Sequence, residues 1–346
     1  MGILIAGYYG YRNWGDEGSL ATLLQVLPRA AVCALSGDPA FTEATYGIRA
    51  LPRLELRTVR RAIRESDALI LGGGSLLQDA TSLRSLLYYL ALMRWGLRAH
   101  GRVLLVGQGV GPLRRRLGRR LTARLLQRVP FLSVRDADSA RLLSSLGVSG
   151  ATVDADLTWA LAPQPAHVAL DAGARWVGLA PRVWADAPVQ RAFADLCRRL
   201  HADGYRTLLI PMQESQDRAL CEAIAAETGA HALPAPQHPA QLLGVMARLE
   251  AMVAMRLHGA IFAASAGAPV LCVSYDPKVD ALATQIGAPT VPLRALNGGL
   301  AEAWGAFPRE ALRARLQETT PALQHAAHDL LQRVGQFCAG EDSLAR

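Results

Sequence analysis

Ala251-Met252-Val253-Ala254-Met255-Arg256-Leu257-His258-Gly259-Ala260 is the stretch from which the fold can be read. Its first half is continuously apolar, as in a strand buried on both faces of a parallel sheet. Arg-Leu-His-Gly ends the run, and a helix of small residues, Ile261 to Gly267, follows at once. In open α/β sheets ligands sit at the carboxyl ends of strands, beside helix N-termini that favour anions. Arg256 and His258 therefore stand where an anion would bind next to a group able to move a proton. The competing reading has His258 capping the helix and Arg256 paired with a structural carboxylate.

The same alternation extends toward the N-terminus. Residues 3–6 form an apolar strand, then Gly7-Tyr8-Tyr9-Gly10 runs through Asn13 and Gly15 to Asp16-Glu17, and Leu20, Leu23, Leu24 and Leu27 mark one helix face. The loop lacks G-x-G-x-x-G spacing, which argues against a dinucleotide site. Asp16 and Glu17 fall at the helix start, where the dipole stabilises carboxylates. The alternative is a carboxylate offered to sugar hydroxyls, with Tyr8, Tyr9 and Asn13 adding polar and stacking contacts. Residues 31–36 read as a second strand, and Arg53, Arg57, Arg60, Arg61 and Arg64 as a basic helical segment with a solvated face.

Residues 68–71 form a strand ending in Gly72-Gly73-Gly74-Ser75, whose backbone N–H groups are available to a ligand. Gln78 and Asp79 follow and are candidates to face the cleft. After the strand 103–106 comes Gly107-Gln108-Gly109-Val110-Gly111-Pro112, with Pro112 suited to a helix start. Arginines from Arg114 to Arg128 alternate there with Leu117, Leu121 and Leu125, giving either a solvated helix or one that meets anionic lipid headgroups. Phe131 to Val134 leads into Arg135-Asp136, a further strand-end arginine or a structural turn.

Pro163 and Pro165 punctuate a linker, beyond which the alternation restarts at Trp176 to Ala180 and ends with helices over 309–335, interrupted by Pro321. Near its end Tyr275-Asp276-Pro277-Lys278 sets a lysine just past a strand. The expected architecture is two Rossmann-like, doubly wound α/β domains facing a cleft, a glycosyltransferase-B-like layout. The first spans 1–162 on the acceptor side. The second spans 166–346 and carries Arg-Leu-His-Gly with the C-terminal helices.

Composition narrows the function classes. The 346 residues are 51% hydrophobic and 19% charged, with a formal net charge of +8, so a well-buried globular protein with anionic partners is expected. Five scattered cysteines form no C-x-x-C, and a reducing compartment is the simplest inference. The N-terminus reads as a strand rather than a signal peptide, and no apolar run suits a bilayer span. A cytoplasmic protein is expected, peripheral to the inner membrane face if the arginine-rich helix touches lipid. Neither a metal signature, a P-loop nor a G-x-S-x-G elbow occurs, so no metal, no cofactor and no nucleic-acid partner is expected.

Four features together resemble the polysaccharide pyruvyl transferase family, in particular its CsaB-like bacterial members. They are Gly7-Tyr8-Tyr9-Gly10 with Asn13-x-Gly15-Asp16-Glu17, then Gly72-Gly73-Gly74-Ser75, Ser133-Val134-Arg135-Asp136 and Arg256-Leu257-His258-Gly259, in that order. The resemblance implies transfer of a carboxyethylidene group from phosphoenolpyruvate to a sugar. For CsaB-like members the implied acceptor is N-acetylmannosamine of a lipid-linked cell-wall polymer precursor, whose ketal later anchors S-layer proteins. The family's phosphoenolpyruvate contacts carry over onto Arg135 and the Arg256-Leu257-His258 run, with a further match at Lys278. On the acceptor side Tyr8, Tyr9, Asn13, Asp16, Gly73, Gly74 and Ser75 are the candidates.

The donor chemistry is consistent with these residues. A carboxylate and a phosphate require at least two cationic groups, and Arg recognises either bidentately. His258 is the candidate acid for the methylene carbon, and Asp16 or Glu17 the candidate to orient or deprotonate acceptor hydroxyls. The rivals are a glycosyltransferase using a nucleotide sugar and a non-catalytic polymer- or membrane-binding protein.

Overall fold

The computed structural model describes residues 2–80, 82–184 and 187–340. It divides into two units: residues up to Leu161 together with those from Gln324 onward, and Ala162–Leu323.

In the first unit strands and helices alternate as β1 (Ile3–Tyr9), α1 (Trp14–Leu23), β2 (Val32–Ser36), α2 (Pro39–Tyr46), β3 (Arg49–Pro52), α3 (Leu56–Glu65), β4 (Ala68–Gly72), α4 (Leu83–Ala99), β5 (Val103–Gln108), α5 (Arg116–Leu126), β6 (Phe131–Val134), α6 (Ala137–Ser145) and β7 (Thr152–Val153). The strands form one parallel sheet in the order β3-β2-β1-β4-β5-β6-β7. Strand order reverses between β1 and β4, which makes the ends of these two strands the switch point where such sheets bind ligands. Leu4, Ile5, Leu69, Ile70, Leu104 and Leu105 are buried, so the central strands are apolar on both faces.

The second unit repeats the plan. Its elements are β8 (Trp176–Ala180), α7 (Val189–Ala202), β9 (Arg206–Leu209), α8 (Glu214–Thr228), β10 (His231–Ala232), α9 (Ala240–Met246), β11 (Ala251–Ala254), α10 (Leu257–Ser265), β12 (Val270–Ser274), α11 (Pro277–Ile286), β13 (Thr290–Pro292) and α12 (Leu296–Gly305), followed by the long α13 (Arg309–Ala339). The parallel order is β10-β9-β8-β11-β12-β13, with its switch point between β8 and β11.

Local chemistry sets several boundaries. Asp38 accepts a hydrogen bond from the Phe41 N–H at 3.1 Å, Pro39 opens α2, and Gly47 closes it in the left-handed conformation. Asp136 caps α6 through the Ser139 N–H at 2.7 Å, and Asp276 caps α11 through the Lys278 N–H at 3.0 Å. The Arg-Asp and Asp-Pro-Lys pairs of the sequence are thus also helix starts.

Five sequence expectations change. The segment before Arg53 is the strand β3, and α3 begins only at Leu56, so Arg53 lies outside the basic helix. Pro112 lies ahead of α5 rather than in its first turn. Helix α10 starts at Leu257, which moves His258 into its first turn and leaves Arg256 as the N-cap residue, without a side-chain capping bond. The C-terminal residues expected in a 166–346 domain group with the first unit from Gln324. There Arg333 pairs with Asp154, Arg102 donates to the Phe337 carbonyl, and the Phe131 and Phe337 rings meet at 5.6 Å. Helix α13 continues through Pro321.

Candidate active site

At the first switch point the loop after β1 meets the loop after β4. Gly73 and Gly74 have φ of +68° and +72°, and a Cβ on Gly74 would lie 2.5 Å from Asp16 Oδ1. Glycine is therefore required for the closest approach of the two loops. Asp16 is nearly buried in the first turn of α1, and Asn13, half-buried, is the N-cap residue of that helix.

Tyr9 and Glu17 correct the sequence reading. Tyr9 is fully buried and its hydroxyl donates to the Gly72 carbonyl at 2.6 Å, so it braces β1 against β4 and offers no surface to an acceptor. Glu17 is also fully buried. It accepts from the Gly10 N–H at 2.8 Å and from the Tyr46 hydroxyl at 3.0 Å, and burial pushes its carboxyl up to about 7. Both of its oxygens are held inside the unit, which leaves Asp16 as the carboxylate nearer the loop surface. Asp79 is likewise internal, accepting from the Arg114 and Arg115 N–H groups at 2.7 and 2.8 Å.

Arg135 stands at the end of β6. Its Nη1 donates to Asp156 at 2.8 Å, its Nη2 to the Ser75 hydroxyl at 3.1 Å, and its Nε is 3.6 Å from Asp136. A Cβ on Gly109 would lie 2.9 Å from this guanidinium. Ser75, Gly74, Asp16 and Arg135 thus form one chain of neighbours at the edge of the first sheet. Arg135 and Arg256, grouped by the sequence reading, belong to different units, and each is neutralised locally by a buried aspartate.

At the second switch point Arg256 is held in a two-point ion pair with the fully buried Asp217, at 3.0 and 2.7 Å, and also donates to Gln216 at 2.9 Å. The structural-carboxylate reading of Arg256 is therefore realised. Leu257 and His258 follow half-buried in the first turn of α10, and Lys278 is half-buried in the first turn of α11, after the neighbouring strand β12. Among the described residues no cluster of three or more His, Cys, Asp or Glu is arranged to hold a metal ion.

Two arginines passed over in the sequence have aromatic rather than carboxylate partners. Arg53, 8% exposed, donates to the Gly7 carbonyl at 3.3 Å and to the Tyr89 hydroxyl at 3.0 Å, with the rings of Tyr8, Tyr11, Tyr88 and Tyr89 around its guanidinium. Tyr8 and Tyr11 stack on each other at 4.3 Å. Arg182, just past β8, donates to the Tyr275 hydroxyl at 2.6 Å and lies 5.3 and 4.9 Å from the Trp184 and Tyr275 ring centres. The signal for Arg182 was the one applied to Arg256, a cation directly after an apolar strand. Nothing in the sequence near Arg53 pointed to its hydrogen-bonding partners Tyr88 and Tyr89, which come from α4 more than thirty residues on.

The fold and the strand-end sites define a two-unit α/β protein of the glycosyltransferase-B-like class. A Listeria monocytogenes structure provisionally described as UDP-N-acetylglucosamine 2-epimerase superposes with a TM-score of 0.70 at 12% identity, covering 99% of this chain and 98% of that one. The S. aureus MnaA structure with UDP gives 0.69 at 10% identity, over 98% and 97% of the two chains. Anabaena HepE with UDP and glucose gives 0.61 at 11%, over 98% and 100%. At these identities the likeness is one of fold alone. No curated protein matches in sequence. The family description "Polysaccharide pyruvyl transferase" matches residues 17–277, and the chain belongs to that family of transferases.

Proposed function

We propose that the chain transfers the carboxyethylidene group of phosphoenolpyruvate to two hydroxyls of one sugar in a polysaccharide precursor, releasing phosphate. The observation that carries this reading is the second switch point, where Arg256, fixed by Asp217, precedes His258 in the first turn of α10. A helix start favours an anion, and the fixed guanidinium keeps its orientation when the donor arrives. Arg182 and Lys278 supply further cationic groups at the same sheet edge, matching a ligand with both carboxylate and phosphate.

In the proposed reaction His258 protonates the methylene carbon, and one sugar hydroxyl attacks the oxocarbenium-like carbon beside it. A second hydroxyl attacks as phosphate departs. Two hydroxyl protons are released: one balances the proton given to the methylene carbon and the other ends on phosphate. Asp16 orients or deprotonates the acceptor, and Tyr8, Asn13 and Ser75 are proposed to contact it. Arg135 is proposed to act with this group, since its own hydrogen bond runs to Ser75.

The acceptor we propose is N-acetylmannosamine of a lipid-linked cell-wall polymer, made at the inner membrane face and used to anchor S-layer proteins. The support for it is the resemblance to CsaB-like members. No resident cofactor enters the proposed reaction. The test is phosphate release from phosphoenolpyruvate with and without a synthetic lipid-linked disaccharide ending in N-acetylmannosamine, with product mass as the second readout. Acceptor-dependent release with the mass of a pyruvate ketal is expected. Donor binding without turnover would withdraw the acceptor. A second reading, transfer from a nucleotide sugar, draws on the fold likeness to proteins solved with UDP. Heat of binding for a UDP-sugar with none for phosphoenolpyruvate would favour it.

A further inference from the structure

We infer that the N-terminal ends of α3, α4 and α5 form one docking face for an anionic lipid surface, with leucines that enter the bilayer. Leu54, Leu56, Leu87 and Leu117 are 73%, 52%, 37% and 55% exposed, the extreme opposite of the buried leucines elsewhere in this unit. Leu54, Leu56 and Leu117 lie at or just before the start of α3 or α5, and Leu87 is the fifth residue of α4. The helices lie side by side with α4 in the middle. Each is the next helix after a strand of the parallel sheet, so all three are entered from its carboxyl edge, the edge that carries Asp16 and Ser75.

Two contacts tie the leucines into one row. The Tyr88 hydroxyl, next to Leu87, donates to the carbonyl of Arg53, next to Leu54, at 2.8 Å. A Cβ placed on Gly118, next to Leu117, would meet the Leu86 side chain at 3.0 Å, so the start of α5 packs closely on α4 there. The surrounding charge selects the partner. Leu54 to Arg61 holds three arginines and one acid, and Arg114 to Arg120 holds five arginines and no acid. Arg57, Arg84, Arg115 and Arg116 are exposed. Exposed leucines among cations that outnumber the acids match the interface of an anionic bilayer, where apolar tips enter the acyl boundary and arginines meet headgroups. A contact by α5 alone would leave Leu54, Leu56 and Leu87 unexplained. Among the described residues no helix is long and apolar enough to cross a membrane, so the contact is a surface one.

The test uses the full chain and sedimentation with vesicles of phosphatidylcholine alone or with phosphatidylglycerol. Neither donor nor acceptor is present, so the outcome is independent of the proposed reaction. Binding to the anionic vesicles is expected. Arg115→Glu with Arg116→Glu should weaken it roughly tenfold or more. Leu54→Ser with Leu117→Ser should weaken it about tenfold while leaving the circular dichroism spectrum unchanged. No binding of the unmodified protein to anionic vesicles would overturn the inference. Binding that the leucine variant retains in full would also overturn it, since the face would then attract any polyanion without insertion. A dimer of the unmodified protein that the leucine substitutions dissociate would assign the face to a second copy instead.

Discussion

Each sheet presents one arginine neutralised by a buried aspartate and one arginine among aromatic rings, yet the two edges are finished differently. In the first unit Arg135 is surrounded by Asp156, Asp136 and Ser75, and Arg53 is enclosed by tyrosines. In the second, Arg256 leans on Asp217, and Arg182 shares its surface with Trp184, which is 37% exposed. The first edge is closed around Arg135, whose charge meets two aspartates. The second is more open at Arg182, whose partners are a hydroxyl and aromatic rings. Family membership alone does not separate these two characters; burial and pairing do.

The comparison is broken most directly at His258. If the second edge carries the chemistry, His258→Ala should lower kcat about 10²- to 10⁴-fold while phosphoenolpyruvate still binds by calorimetry. Unchanged turnover would move the acid elsewhere. Next come the two ion pairs. Asp217→Ala leaves Arg256 and the Gln213 N–H without their partner and should cost about 3–5 kcal/mol in denaturant unfolding. Asp156→Ala also strips the Thr158 N–H and hydroxyl of their partner but leaves Asp136 facing Arg135, and should cost less, about 2 kcal/mol. The reverse order would mean that the first edge, not the second, depends on one aspartate.

Glu17 gives a pH-dependent test of the closed edge. Its carboxyl is raised from 4.5 to about 7 by burial, so the folded state holds a proton that the unfolded state has lost in between. Stability from this group is therefore full below about pH 4.5 and falls as pH rises toward 7, by about 3 kcal/mol in total. Glu17→Gln should flatten that slope in unfolding measured at pH 5 and pH 8. The smallest effect is expected at the open edge. Arg182→Ala should raise KM for phosphoenolpyruvate roughly tenfold while changing stability by less than about 1 kcal/mol. A large loss of stability with unchanged KM would class Arg182 with Arg53 as part of the framework.

Much of this was legible in order along the chain. Apolar runs of strand length, followed by loops and amphipathic helices, gave the α/β alternation, since side-chain periodicity is a local property. Strand-end placement gave Asp16, Ser75, Arg135, Arg256 and His258 as edge residues, because parallel connections bring every such end to one side of the sheet. What sequence could not supply is the partner at long separation. Asp217 meets Arg256 from α8, Asp156 meets Arg135 from beyond β7, and Tyr46 reaches Glu17 from α2.

The sequence by itself therefore determined the class of the fold, the family and the list of groups at the strand ends. Only the tertiary structure decided which of them are neutralised, which are internal braces like Tyr9 and Glu17, and which unit receives the second half of the last helix. Charge state and exposure depend on neighbours brought together by packing, and packing joins residues that the chain keeps far apart.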